Sequence, residues 1–334
     1  MKTFETKIHK DDLDKINEVL LNGDLGFGEN VSLFENKFAT FSNKKFNVAT
    51  NSASASAFMI FSYLKEEYGE CDVYTTSLGF VSPAWAAKHF GHNLIFVDVD
   101  DFLQFDVKDY QKKRQTACER YADGGVTPVI MPVLYGGVSN IDGFDAFFEK
   151  SGYNEVIVVD SAQCATPTIK SDFVFFSFHP YKPICTSDGG MISTNDSNAD
   201  NYFRSYRNFG RQQGGNSYDI VQEGFKFYMN NLNATIGLTQ LDRYEDNLKI
   251  RQNNYLKMLD KFEGLLMPHN EKSSFYFATT LTTDANDVIL NKELTRTYPM
   301  LHKTSYFENG QELPNLELLH PAILNLPLWR EYKL

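Results

Sequence analysis

Cysteine and tryptophan are scarce in this sequence, positive charge is outnumbered, and no apolar run approaches the length of a membrane span. The four cysteines among 334 residues (Cys71, Cys118, Cys164 and Cys185) lie far apart without a C-x-x-C pair. That spacing argues against a disulfide frame or a zinc cage and for reduced thiols in a cytoplasmic protein. Met1-Lys2-Thr3-Phe4-Glu5 leads into charge rather than into the apolar core of a signal peptide, so neither export nor a membrane anchor is expected. The formal net charge of −11 argues against a general nucleic-acid binder, which needs a basic face to displace counterions. Internal repeats and low-complexity segments are missing too.

Apolar residues make up 42% of the chain and charged residues 22%, the balance of a soluble globular protein. Short apolar runs at 46–50, 73–76, 94–97, 129–133, 156–159, 173–176 and 190–193 read as strands. Helical patterns at 54–64, 82–90 and 143–150 lie between them. Strands apolar almost throughout and alternating with helices predict an α/β domain with a mostly parallel sheet covered on both faces. Two amphipathic helices, 11–21 and 31–41, precede the sheet, joined through Gly23, Gly26 and Gly28; one long helical pattern, 231–259, follows it. Beyond this come a strand at 275–281 and segments punctuated by Pro299, Pro314, Pro321 and Pro327. The expected organisation is a large α/β domain over 1–260 and a small C-terminal α+β subdomain over 261–334.

Such a sheet keeps its chemistry at the carboxyl ends of its strands. Four features stand there in chain order. The stretch F-N-V-A-T-N-S-A-S-A-S-A leads from a strand into a helix, whose free N–H groups, with the hydroxyls of Ser52 and Ser54, can cradle a phosphate. In S-L-G-F, Phe80 follows a glycine just past a strand and can stack on a flat ring or simply pack in the core. The strand V-I-V-V-D ends on Asp160, either a helix cap or the partner of a protonated ring nitrogen. Further on, S-F-H-P-Y-K-P sets Lys182 on a turn among aromatics, as a solvated loop lysine or as an amine activated by desolvation. Each residue alone has an ordinary explanation. Phosphate cradle, aromatic, Asp and then Lys together give the layout of a fold-type-I pyridoxal-phosphate enzyme.

The sequence resembles the DegT-type sugar-nucleotide aminotransferases over most of its length. Asn51–Ala57 (N-S-A-S-A-S-A) resembles the family's Ser-Gly-Thr phosphate turn, D-S-A-Q its D-A-A-Q/H, and S-F-H-P-Y-K-P-I-C-T-S-D-G-G its S-F-H-P-x-K-x-I-T-T-G-E-G-G. The resemblance implies a fold-type-I transferase of the aspartate-aminotransferase kind, with pyridoxal 5′-phosphate as cofactor and pyridoxamine phosphate as its intermediate form. Lys182 then carries the cofactor as a Schiff base and shuttles a proton, and Asp160 pairs with the pyridine nitrogen. Phe80 stacks on the ring, Gln163 contacts its hydroxyl side, and Ala53, Ser54 and Ser177 hold the phosphate. The implied substrates are glutamate and a keto-sugar carried on a nucleotide diphosphate, in a homodimer with shared sites.

Departures from the family pattern are local. Lys226 and Tyr228 stand where the pattern G-x-N-x-R-M has Asn and Arg, so Lys226 becomes a cofactor-phosphate contact from the partner chain. Asp188 replaces the common Glu. On the substrate side the resemblance points to His302 and Tyr306, and the basic stretch Arg204, Arg207 and Arg211 offers either a diphosphate contact or a solvated helix face. His89 and His92 form an H-x-x-H without further ligands, and no metal is expected. Gly26 and Gly28 do not open a dinucleotide-type βαβ unit. A sugar dehydratase of the same fold and a non-catalytic binder of the cofactor or sugar nucleotide are the alternatives. Lys182, which such dehydratases replace with histidine, speaks against the first, and intact catalytic positions speak against the second.

Overall fold

The computed structural model describes residues 8–121, 125–152, 154–212, 218–259, 265–266, 269–281 and 295–328. Seven strands form the central sheet: β1 (Phe46–Thr50), β2 (Cys71–Thr76), β3 (Asn93–Val97), β4 (Thr127–Met131), β5 (Val156–Asp160), β6 (Phe173–Ser177) and β7 (Gly190–Thr194). Their spatial order is β1-β7-β6-β5-β4-β2-β3. Neighbours from β3 through β6 pair in parallel, and β7 runs against both β6 and β1. Between β6 and β7 the chain turns straight back through the loop 178–189, closed by the Phe178 N–H to the Gly189 carbonyl at 2.9 Å.

Helices α3 (Ala53–Tyr68), α4 (Val81–His89), α5 (Val107–Thr116), α6 (Phe144–Lys150) and α7 (Ser197–Tyr206) cover the sheet. Strands β2, β5 and β7 are therefore buried along their whole length, polar members such as Asp72, Thr75 and Ser193 included. One apolar cluster, with Val48, Ile60, Val73, Val129 and Phe175, packs one face. A larger cluster on the other face joins Phe34, Tyr74, Ile130 and Phe176 to Phe277 and Leu326 of the C-terminal region.

That region forms a second, antiparallel sheet in the order β10-β11-β9-β8, from β8 (Leu265–Leu266), β9 (Phe277–Leu281), β10 (Thr295–Arg296) and β11 (Ile323–Pro327). The boundary expected at 260–261 lies outside the described residues. The strand expected from 275 begins at Phe277, because Phe275 takes a left-handed φ of 46° that extended pairing cannot accommodate. The single long helix expected over 231–259 is two: α8 (Asn231–Asp242) and α9 (Tyr244–Leu259), broken at Arg243 with φ −110° and ψ 4°. The Arg243 guanidinium is ion-paired there with Asp12 on α1 (Lys10–Asn22).

Edge strand β1 is closed off by a buried charge cluster. Glu35 on α2 (Glu29–Ser42) accepts the Ala49 N–H at 2.8 Å and pairs with Arg204 at 2.8 Å and Arg207 at 2.5 Å. Burial works to raise the Glu35 pKa, but the two guanidinium groups outweigh it and hold the carboxyl below its usual range. All four cysteines are free. Among the described residues no helix is long and apolar enough to cross a membrane.

Candidate active site

The carboxyl ends of β1, β2, β5 and β6 open on one cavity of about 480 Å³, and β7 starts beside them. Thr50, Gly190 and Ser177 lie side by side in register across β1, β7 and β6. Ser52 caps α3, its Oγ accepting the Ala55 N–H at 3.1 Å. The N–H groups of Ala53 and Ser54 have no acceptor among the described residues, and both residues line the cavity. This is an anion-binding helix start. Gly190 is required beside it, since a Cβ there would stand 2.6 Å from the Ala53 nitrogen and 2.5 Å from the Ser52 carbonyl carbon. Ser177 also lines the cavity.

Asp160 ends β5, only 4% exposed, with the Ala162 N–H donating to its Oδ1 at 2.9 Å. Burial pushes its carboxyl up to about 6, against the pull of that hydrogen bond and of Lys182. Lys182 sits on the β6–β7 loop, held by its own N–H to the His179 carbonyl at 2.9 Å. The loop is closed by paired bonds between Phe178, Thr186 and Gly189. Burial brings the Lys182 amine down to about 8, with Asp160 opposing the fall. At neutral pH a useful fraction of this amine is free base, a nucleophile for an aldehyde carbon. His179, also lining the cavity, is held below its usual pKa by burial and by the Lys182 charge.

Phe80, 56% exposed, stands as the N-cap of α4 and offers its ring to the cavity. Gln163 does not line the cavity wall: its Oε1 accepts the Gly136 N–H at 2.7 Å, and its Nε2 has no partner among the described residues. Three aromatics that sequence reasoning passed over complete the walls, Tyr181, Tyr276 and Tyr298. The Tyr276 ring lies 4.8 Å from Lys182 Nζ, and Tyr298 meets Phe80 edge-on at 6.1 Å. Tyr298 was within reach of the sequence, four residues before His302 in R-T-Y-P-M-L-H. Tyr276 sat in a run indistinguishable from core.

Other expected residues lie elsewhere. His302 is buried and clamped, its Nδ1 2.7 Å from Ser77 Oγ and its Nε2 3.1 Å from Glu317 Oε1. Tyr306 is exposed, edge-on to Trp85 and under the Lys88 ammonium at 4.4 Å. Arg204 and Arg207 are spent on Glu35, so they form neither a solvated face nor a diphosphate contact. Arg211 packs between the rings of Phe209 and Tyr218 at 5.3 Å and 4.9 Å. Lys226 is exposed, its Nζ 5.7 Å from its neighbour Tyr228's ring. None of these lines the cavity of this chain. His92 of the H-x-x-H is used up by the Cys71 N–H and the Phe61 carbonyl, and buried Cys185 takes the Ser187 N–H.

An α/β layer fold with a desolvated lysine facing a buried carboxylate, next to an anion-binding helix start, defines a transferase built around an aldehyde-bearing, phosphate-anchored cofactor. The chain belongs to the DegT/DnrJ/EryC1/StrS aminotransferase family, whose profile matches residues 6–333. It is 29% identical over 286 residues to the spore coat polysaccharide biosynthesis protein SpsC of Bacillus subtilis, covering 78% of this chain and 69% of that one. A UDP-4-amino-4,6-dideoxy-N-acetyl-β-L-altrosamine transaminase of Campylobacter jejuni is 25% identical, covering 95% of this chain and 80% of its own. The putative sugar aminotransferase Spr1654 of Streptococcus pneumoniae, in its PLP form, superposes with a TM-score of 0.83 at 21% identity, covering 100% of this chain and 94% of that one. Aminotransferases of this family use pyridoxal 5′-phosphate. The residues here fit that group: an unpaired helix start for its phosphate, a buried acid and a reachable amine in one cavity, and an exposed aromatic face.

Proposed function

We propose that this chain moves an amino group from glutamate to a nucleotide-linked keto-sugar, a 4-keto-6-deoxy hexose, in amino-sugar or surface-polysaccharide biosynthesis. It works in the cytoplasm as a homodimer with shared sites. The observation that carries the reading is the opposed pair Asp160 and Lys182 inside one cavity, an acid made reluctant to ionise and an amine made ready to lose its proton. The similarity to a sugar-nucleotide transaminase over 95% of the chain supports the substrate class.

When bound, the cofactor supplies an aldehyde carbon and an electron-withdrawing ring that makes a neighbouring carbon acidic. The Ala53 and Ser54 N–H groups with Ser177 would hold its phosphate, and the Phe80 ring would cover one face. Asp160 would hold a proton on the ring nitrogen, and an ion pair formed there relieves the burial cost of its own charge. Gln163 Nε2, which has no partner among the described residues, would be the donor for the ring hydroxyl. Lys182 Nζ would take the proton from the α-carbon of the amino donor and hold it for return to the neighbouring carbon, and in the second half-reaction would move it the opposite way. Lys226 of the partner subunit would add a positive charge at the phosphate.

The test is an absorbance spectrum of the protein with pyridoxal phosphate, before and after glutamate, beside Lys182→Ala. The expected result is a visible band that glutamate bleaches, with borohydride fixing the cofactor on Lys182 and not on the variant. A band that no amino donor bleaches overturns the glutamate-driven half-reaction, and a wild-type protein that forms no band overturns the assignment of Lys182.

A further inference from the structure

Tyr276 is 4% exposed, and its seat is over-determined. The residue before it, Phe275, holds a left-handed φ of 46°, a conformation a bulky side chain adopts only when its surroundings impose it. The Tyr276 N–H donates to the Gly136 carbonyl at 3.0 Å, and the Ser274 N–H donates to the Gly137 carbonyl at 2.7 Å. Gly136 and Gly137 have φ of 78° and 84°, and a Cβ on Gly137 would come within 2.9 Å of Tyr276. Gln163 fixes that glycine turn through the Gly136 N–H. Buried Arg251 on α9 reaches the Phe275 carbonyl at 3.3 Å. All of this aims one phenol ring at Lys182 Nζ, 4.8 Å from the ring centroid.

We propose that Tyr276 is a positioning residue for Lys182, its ring face seating the side-chain ammonium while the lysine carries a proton between the reacting carbons. The proposal rests on the aminotransfer reading above. A ring face attracts a cation within about 6 Å, more strongly where water is excluded. It offers no lone pair to take the proton, so the amine keeps it and stays free to turn toward the carbon. The Tyr276 hydroxyl itself stays neutral, because burial raises its pKa well above the usual value. The other titratable groups around this cavity are Asp160 on β5, His179, Tyr181 and Asp188 on the lysine's own loop, and Tyr298 ahead of α10 (Pro314–Leu319).

The experiment uses cofactor-free protein, so it reads the lysine alone and its outcome is independent of whether glutamate or a keto-sugar is the substrate. Trace acetylation is followed against pH, with Lys182 quantified by peptide mass spectrometry in wild type, Tyr276→Phe and Tyr276→Leu. Phe keeps the ring, so its profile should match wild type. Leu removes the ring, so the Lys182 midpoint should fall by about 0.5–1 pH unit, about three- to tenfold more labelling at a fixed pH below the midpoint. A Leu profile identical to wild type overturns the proposal, as does a Phe profile that follows Leu. If the Leu variant does not fold, a series of increasingly fluorinated phenylalanines at 276 weakens the ring face without changing its shape. A graded fall of the midpoint supports the proposal, and a flat response overturns it.

Discussion

Asp160 and Lys182 share one cavity as a buried acid and a half-buried base whose ionisations are displaced toward each other, the acid up to about 6 and the amine down to about 8. Burial dominates both shifts, and their mutual attraction offsets only part of it. In the cofactor-free protein this pair is a source of instability held for chemistry.

The sign of the Asp160 contribution can be tested. Its folded pKa lies above the unfolded value of 3.8, so between pH 4 and 6 the folded state binds more protons and stability falls as pH rises. Relative to Asp160→Asn, cofactor-free wild type should lose up to about 3 kcal/mol across that window, with little further change above it. Urea unfolding of both proteins at several pH values measures the difference; a wild type that gains on the variant as pH rises contradicts the burial argument.

Gly190→Ala probes the cradle without touching an ionisable group. The new Cβ must displace the Ser52–Ala53 backbone, which lies within 2.6 Å. Cofactor affinity should fall by about tenfold or more, the cost of one misdirected bond to a charged phosphate. Titration with pyridoxal phosphate, followed by absorbance, gives the number.

Glu35→Gln leaves two guanidinium groups facing each other beside β1 without their shared carboxylate. Breaking a buried pair in this way costs about 3–5 kcal/mol. A melting temperature within error of wild type would mean that Arg204 and Arg207 find other partners at little cost.

His302→Leu tests the structural role of this imidazole. The variant loses the imidazole bonds to Ser77 Oγ, just past β2, and to Glu317 within its own segment, while the His302 main-chain N–H keeps Ser77. Unfolding free energy should drop by about 1–3 kcal/mol, while the absorbance titration with pyridoxal phosphate stays as in wild type. A stability within error of wild type would overturn the structural role.

The strands and their chemistry-bearing ends were legible because buried parallel strands are apolar runs, and the polar residue that stops each run marks the carboxyl edge. Asp160 and Ser177 were found by that logic. What stayed hidden depended on distant pairing. Arg204 and Arg207 look like a basic stretch until Glu35, far away in sequence, meets them. The break at Arg243 carries no proline or glycine, and its ion pair is with Asp12, 231 residues away in sequence. His302 and Tyr306 belong to a segment that does reach the cavity, but Tyr298 is the residue that lines it. Periodicity assigns a residue to an element; it does not say which side chain of a loop points inward.

The cavity has two parentages. Cradle, acid and lysine all come from the first 190 residues, fixed by sheet register and a hairpin, whereas Tyr276 and Tyr298 arrive from the C-terminal region. The walls can therefore be exchanged by inheritance of a different C-terminal segment while the anchoring machinery stays as it is. Chimeras cut after α9 would inherit the phosphate cradle and the Asp160–Lys182 pair from one parent and the ring that seats the lysine from the other.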